Sequence, residues 1–194
     1  MKIDLHVHTS NRSECAKSNE NEMVETAIGS GLNGIAITDH HRLVPTERLT
    51  SLNRRYAPFH IYCGIEINAD QEDWLVLGLQ DSTLERKDWN YIELHTFVRS
   101  KGGVLVLAHP FRYRAHVGVN LKRYPPDAIE LRSNNIRSEN VPNIRRLAEE
   151  LKLPTLTNSD AHHTSALGKY YNPFPSSAID EGAILTQIRA GTTV

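Results

Sequence analysis

The chain has 194 residues, 39% hydrophobic and 23% charged, with a net charge of −1 when its ten histidines are neutral. That balance is ordinary for a globular protein and supplies no broad basic field, which disfavours a long nucleic-acid track or an anionic membrane as partner. No apolar run reaches the ~18 residues of a membrane-spanning helix, and two cysteines, Cys15 and Cys63, are too few for a disulfide framework. The opening MKIDLHVHTS contains no apolar leader, so a cytoplasmic location is expected, with one domain over residues 1–194.

In chain order, the first strand candidate is Lys2–Leu5, followed at once by His6-Val7-His8. An amphipathic segment, Glu20–Ser30, closed by Gly31, leads to the apolar run Gly34–Ile37 and then to Asp39-His40-His41. A helical pattern over Thr46–Arg54 precedes a third strand, His60–Ile65, which ends on Glu66. The fourth, Leu75–Leu79, ends with no ionisable group. A helix over Asp88–Lys101, capped by Asp88 and stopped by Gly102-Gly103, introduces Val104–Ala108 and then His109-Pro110-Phe111-Arg112. Beyond it, Arg112–Pro126 reads as a long loop rich in Arg and Tyr. The sixth strand candidate, Ala128–Leu131, is followed by a helix over Ser138–Leu151, with Ser138 as its cap and Pro154 as its stop. The seventh, Thr155–Thr157, runs into Asn158-Ser159-Asp160-Ala161-His162-His163, and a last helix covers Asp180–Ala190.

Runs such as GVLVLA and NGIAIT are apolar throughout, as parallel strands covered on both faces require. Strand–helix alternation implies parallel βα units. A closed eight-unit barrel takes about 250 residues, so seven strand candidates in 194 residues imply an α/β fold of the TIM-like type, a distorted seven-stranded barrel. An open doubly wound sheet is the alternative, but the first strand lacks the glycine-rich turn of a dinucleotide site. In a barrel the C-terminal strand ends converge on one mouth, so the polar clusters after the strands meet there.

Those clusters have the composition of a metal centre. Two residues apart on an extended chain, His6 and His8 point the same way while Val7 points the other. Asp160-Ala161-His162 repeats that spacing with a carboxylate and an imidazole, and Glu66 and His109 arrive singly. Imidazole and carboxylate without thiolate favour zinc, manganese or iron. The set exceeds what one ion needs, so two or more divalent ions are expected, with a carboxylate able to bridge them.

The same residues resemble the PHP family, named for the polymerase and histidinol phosphatase proteins that share it. The resemblance runs through Asp4-Leu5-His6-Val7-His8-Thr9, Thr38-Asp39-His40, Gly64-Ile65-Glu66, Ala108-His109-Pro110 and Ser159-Asp160-Ala161-His162. It extends to Gly168, the last helix and Gly191, and so covers nearly the whole chain. It implies a distorted (β/α)7 barrel with a two- or three-metal centre. By position, His6, His8, Glu66 and Asp160 correspond to ligands of one metal. Glu66 corresponds to the bridge to a second, which His109 helps hold, and His40 and His162 to ligands of a third. Asp39 fits an outer partner that orients an imidazole. Two positions depart from the fullest pattern. After the first strand the chain reads Ser10-Asn11-Arg12-Ser13-Glu14-Cys15, where Glu14 is the available substitute for a further ligand. Near the fourth strand, Trp74-Leu75-Val76-Leu77 offers no histidine.

The activity so implied is hydrolysis of a phosphomonoester or nucleotide-type phosphoester by a metal-activated hydroxide, with a small phosphorylated substrate. Arg112 is placed to clamp a phosphate, against the alternative of a solvated loop arginine, and Arg132 is a similar case. His163, rather than the ligand His162, is the candidate to protonate the leaving group. Ser159 and Cys63 lie near strand ends but have no activating base by sequence, and read as structural. Three other readings stand beside this one. An amidohydrolase would also open with His-x-His, but neither the third nor the fourth strand end supplies the lysine such enzymes carbamylate. A non-catalytic metal-binding module is disfavoured by the near-complete ligand set. A nuclease acting on short ends would use the mouth with Arg112, Arg114, Lys122 or Arg123.

Overall fold

The computed structural model describes residues 1–176 and 180–191. Among the described residues there are eight strands: β1 (Lys2–Val7), β2 (Gly34–Ile37), β3 (His60–Ala69), β4 (Glu72–Leu77), β5 (Val104–Leu107), β6 (Ala128–Arg132), β7 (Thr155–Thr157) and β8 (Asn172–Pro173). Five helices accompany them: α1 (Glu20–Gly29), α2 (Thr46–Tyr56), α3 (Tyr91–Lys101), α4 (Val141–Leu151) and α5 (Glu181–Ala190). The strands follow one another around the sheet in the order β7-β6-β5-β4-β3-β2-β1-β8. A parallel bridge between Val7 and Ala161 brings the two ends of that sheet together. The result is a nearly closed, distorted TIM-like barrel.

Three strand features differ from the sequence expectation. First, β3 and β4 form an antiparallel hairpin rather than a βα unit. Asp70 and Gln71 both take positive φ, at 53° and 64°, as a two-residue type I′ turn requires. The turn lacks the Asn-Gly or Asp-Gly sequence that advertises such hairpins. Because β4 also runs antiparallel to β5, its beginning rather than its end lies at the mouth. Second, the short β8, not expected from sequence, pairs antiparallel with the start of β1. Third, the register of β1 against β2 shifts between Asp4 and Val7. Ile3 and Leu5 face the barrel interior with Leu75, Val104, Val106 and Leu156, yet His6 and His8 also face inward. The bulge thus reverses the side-chain alternation just before the two histidines.

The core has three parts. The interior is filled by β-strand side chains and closed at the end opposite the mouth by Phe174 and by Ile184 and Ile188 of α5. Outside, Met23, Val24 and Ala27 of α1 and Leu52 of α2 cover Val7, Ile35, Ile37 and Ile61. On the other flank α3 and α4 cover Ile65, Trp74, Leu105, Leu107 and Ile129, with Trp74 stacked on Tyr91 at 4.1 Å. Helix ends carry local caps. Asn19 forms a capping box with Glu22 at α1, and Asn90, rather than Asp88, accepts from Glu93 N–H at α3. Ser138 opens a 3-10 turn ahead of α4 and gives no side-chain cap. The helices are short, and among the described residues none is long and apolar enough to cross a membrane.

The seam between β1 and β7 is closed mainly by side chains. Asn158 Oδ1 accepts from Leu5 N–H at 3.2 Å and from Asn172 Nδ2 at 2.7 Å, and its Nδ2 donates to Glu130 at 2.9 Å. Asp4 accepts from Ser159 N–H at 3.0 Å, and His8 N–H donates to Ala161 O at 2.9 Å. Asn158 is fully buried, so its removal strands several polar groups away from water. Asn158→Ala is expected to lower the unfolding free energy by about 1–3 kcal/mol, measured by urea unfolding; a loss well under ~1 kcal/mol would show that the seam does not depend on it.

Candidate metal centre

Each donor reaches the mouth on a rigid element. β1 and its continuation carry His6 and His8, whose ring centroids are 5.0 Å apart. The segment after β2 carries His40, which forms a parallel bridge with Glu66 on β3. His109 follows β5, and Asp160 and His162 follow β7. All seven residues expected from sequence to ligate metal, namely His6, His8, His40, Glu66, His109, Asp160 and His162, meet in one cluster. Backbone strain accompanies the arrangement, since His109 and Asp160 hold positive φ of 25° and 51°.

Glu66 lies at the centre. Its Oε2 is 2.9 Å from His40 Nδ1, 3.2 Å from His8 Nε2 and 3.5 Å from His6 Nε2, and its Oε1 is 3.0 Å from His109 Nε2. Asp160 Oδ1 is 3.3 Å from both His6 Nε2 and His8 Nε2, and its Oδ2 is 3.7 Å from His109 Nε2. Three groups place ligand atoms within 4.8 Å of one another around this core: His6, His8 and Glu66; His6, His109 and Asp160; and His8, His40 and His162. A fourth adds Asp73 to Glu66 and His109.

The donor set fits divalent metal. Glu66 Oε2 and Asp160 Oδ1 are buried without a hydrogen-bond partner, an expensive state for a carboxylate oxygen that a cation would relieve. The Nε2 atoms of His6 and His8 face each other at 3.0 Å, an approach of two lone pairs that either a proton or a metal must separate. Burial disfavours a charged His6, but the Asp160, Glu130 and Glu66 carboxylates outweigh it and hold its pKa well above the usual range. His8 follows the same pattern: burial lowers it, but its contacts with the Asp160 and Glu66 carboxylates outweigh that and raise it to about 8. Burial pushes Glu66 and Asp160 up, yet His6 and the other imidazoles hold both below the ordinary carboxylate range. The cluster is therefore built to keep two carboxylates ionised and to neutralise them with cations.

Outer contacts fix the donors. His6 Nδ1 donates to Glu130 Oε1 at 3.0 Å, which leaves Nε2 aimed at the centre. Glu130 is fully buried on β6 and also accepts from Asn158 Nδ2 and from His109 N–H. It was not among the sequence candidates; the available signal was an ionisable residue inside the otherwise apolar start of a strand. Asn135 Nδ2 donates to Asp160 Oδ2 at 2.6 Å. His162 Nδ1 donates to Asp160 O at 3.1 Å, which frees its Nε2. Asp39, expected as an outer partner that orients an imidazole, accepts from Thr9 N–H, Thr9 Oγ1 and Ser13 Oγ, with Arg12 beside it. Ser13 Oγ stands 3.4 Å from His8 Nδ1, so Asp39 acts on His8 through the serine.

Other candidates fall differently. Arg112 reaches over the cluster, its Nη1 3.4 Å from His109 Nε2 and 3.8 Å from Asp160 Oδ2. His163, the expected proton donor, is not brought to the cluster; it is exposed and bonded to Ser165 Oγ at 2.6 Å. It follows His162 on extended backbone, where neighbours point to opposite sides. Glu14 lines a separate cavity with Asn11, Arg12 and Arg42 and belongs to none of the ligand groups. Arg114 is engaged by Glu72 at 3.3 Å, and Arg132 is exposed. Ser159 bonds backbone and Cys63 is buried, its thiol raised to about 12 by burial and by Glu181.

The family comparison agrees with this geometry. The PHP domain model matches residues 4–113, and the PHP-associated model matches residues 142–193. The chain belongs to the PHP domain family. A comparison with curated proteins gives no match. Among solved structures, PsfC from Pseudomonas syringae PB-5123 is 19% identical with a TM-score of 0.73, over 98% of this chain and 93% of that one. An inferred metal-dependent phosphoesterase from Bifidobacterium adolescentis is 15% identical with a TM-score of 0.75, over 97% and 96%. An amidohydrolase from Chromobacterium violaceum is 14% identical with a TM-score of 0.67, over 98% and 97%. At such identities the likeness speaks for the fold alone.

Glu130→Gln is expected to leave the PHP fold intact while weakening divalent-metal uptake about 10–100-fold, since one oxygen that fixes His6 or His109 becomes a donor. Competition against a chromogenic chelator measures it, and unchanged affinity would remove Glu130 from the site.

Proposed function

We propose that this PHP protein is a metal-dependent phosphoesterase that hydrolyses a phosphomonoester or nucleotide-type phosphoester on a small substrate. The observation that carries the reading is the pair of buried oxygens, Glu66 Oε2 and Asp160 Oδ1, crowded by imidazole nitrogens at 2.9–3.5 Å yet without a well-aligned hydrogen bond, beneath the Arg112 guanidinium. Divalent zinc, manganese or iron held there would supply Lewis acidity, making water a usable nucleophile near neutral pH and offsetting charge on phosphoryl oxygens.

The chain's own residues divide the remaining work. His6, His8, Glu66 and Asp160 would hold one ion, Glu66 and His109 would serve a second, and His40 and His162 a third. Glu130 keeps the His6 proton on Nδ1, and Asn135 holds one Asp160 oxygen so that the other faces inward. The Arg112 fork receives the phosphate and orients it toward the cluster. No step is assigned to His163, which stands apart from these groups. Support also comes from the phosphoesterase designation of the Bifidobacterium relative.

An amidohydrolase is the second reading, favoured by the designation of the Chromobacterium relative. Against it, neither β3 nor β4 contains a lysine to carbamylate.

Assays on phosphomonoesters, nucleotides and cyclic amides, with manganese, zinc and iron supplied separately, distinguish the two. Turnover of phosphoesters alone is expected, and turnover of amides alone would overturn the proposal. His6→Ala and Asp160→Ala are each expected to abolish turnover while the circular dichroism of the folded protein persists, because strand-end residues at a barrel mouth serve chemistry more than stability. Wild-type turnover with normal metal content in either variant would refute the site.

A further inference from the structure

We infer that the cavity beside Arg112 selects a polyhydroxylated leaving group, so that the substrate is the phosphomonoester of a sugar or another polyol. This selection presupposes the phosphoesterase reading above and concerns that same site. A cavity of about 390 Å³ opens next to the metal cluster, between the segment after β5 and the turn ahead of α4. Arg112, Tyr113, Asn134, Asn135, Arg137 and Asn140 line it. Two of them join it to the cluster: Arg112 overhangs His109, and Asn135 holds Asp160. A phosphoryl group received by Arg112 therefore has this space beside it for the rest of the ester.

The chemistry of the walls follows from where the three asparagine nitrogens are committed. Asn134 Nδ2 donates to Ser159 O at 2.6 Å and to Ala166 O at 3.3 Å, Asn135 Nδ2 to Asp160 Oδ2 at 2.6 Å, and Asn140 Nδ2 to Phe111 O at 3.1 Å. Backbone carbonyls and an ionised carboxylate only accept, so each amide must turn its nitrogen to the protein and cannot flip. Among the described residues no donor reaches the three Oδ1 atoms, which leaves each able to accept from a ligand. Arg137 adds the opposite polarity; it is exposed, on a turn closed by Asn140 N–H donating to Arg137 O at 3.0 Å. Fixed acceptors beside guanidinium donors match hydroxyl groups, which donate and accept at once. An ammonium group would meet two arginines, and a second anion would meet three amide oxygens. An alkyl chain would strip water from these polar groups and return no hydrogen bond. Tyr113, 63% exposed and 5.3 Å from the Arg112 guanidinium carbon at its ring centre, offers the carbon skeleton of a sugar an apolar wall.

Manganese-loaded wild type, Arg137→Met and Asn140→Ala are assayed for kcat/KM on sorbitol 6-phosphate, hexyl phosphate and hexane-1,6-diol bisphosphate, which share one chain length. Wild type is expected to prefer sorbitol 6-phosphate to hexyl phosphate by about 100-fold, and each variant to reduce that ratio about tenfold, the factor that one hydrogen bond of ordinary strength contributes. Both esters meet the same metal centre, so a variant that merely folds or loads less well lowers both rates and leaves the ratio intact. A wild-type ratio near one, or a ratio that neither variant changes, overturns the inference. So does a preference for the bisphosphate over sorbitol 6-phosphate, which would make Arg137 a site for a second anion. Ribose 5-phosphate and adenosine 5′-monophosphate, run alongside, tell a free sugar from a nucleoside as the source of the hydroxyls. If loaded wild type hydrolyses none of these esters, the phosphoesterase reading itself fails and takes the inference with it.

Discussion

The burial of the Glu66 carboxylate among four imidazoles governs the rest of the molecule. An ionised carboxylate withdrawn from water costs several kcal/mol unless opposite charge compensates it. His6, His8, His40 and His109 lie within 3.5 Å of its two oxygens, yet one oxygen still lacks a hydrogen bond. Asp160 repeats the situation against the same His6–His8 pair. The protein therefore places an electrostatic demand at the mouth that its own side chains meet only in part, and the fold must be stiff enough to maintain it.

That stiffness comes from the barrel and from polar groups that would otherwise be costly to bury. Glu130 and Asn158 connect the ligand shell to the seam: Glu130 binds His6 and His109 N–H, Asn158 binds Glu130, and Asn158 also ties β1 to Asn172. A displacement of the seam is thus transmitted to His6. On the other side, Asp39 gathers Thr9, Ser13 and Arg12 into the loop after β1 and steadies His8 through Ser13. The hydrophobic layers supply the platform, and the buried hydrogen bonds set the aim.

The strands and helices were legible from periodicity because most β-runs are apolar on both faces, and the placement of polar clusters after them announced the mouth. The exceptions have physical causes. The β3–β4 hairpin turns through Asp70-Gln71, a pair with no glycine, so the local sequence gives little sign of it. The bulge in β1 depends on its pairing with β2, which no local pattern encodes. β8 consists of two residues held by β1, too short to show a period. Glu130 was hidden because a carboxylate within a strand reads as a surface residue until its neighbours are known. His163 was expected to reach the mouth beside His162, but consecutive extended residues point apart.

By itself the sequence determined the family motifs, the chemical type of the donors and their attachment to strand ends, because motif spacing and residue chemistry are local properties. It also determined the alternation that keeps His6 and His8 on one side of Val7. Only the tertiary structure decided which carboxylates stand at the centre and which at the edge, which arginine overhangs the cluster, and which end of β4 faces the mouth. Those outcomes depend on strand direction, register and burial across more than 150 residues of chain, as between His6 and Asp160. Strand direction alone moves Asp73 to the site and Leu77 to the far end, with no change in the sequence of either.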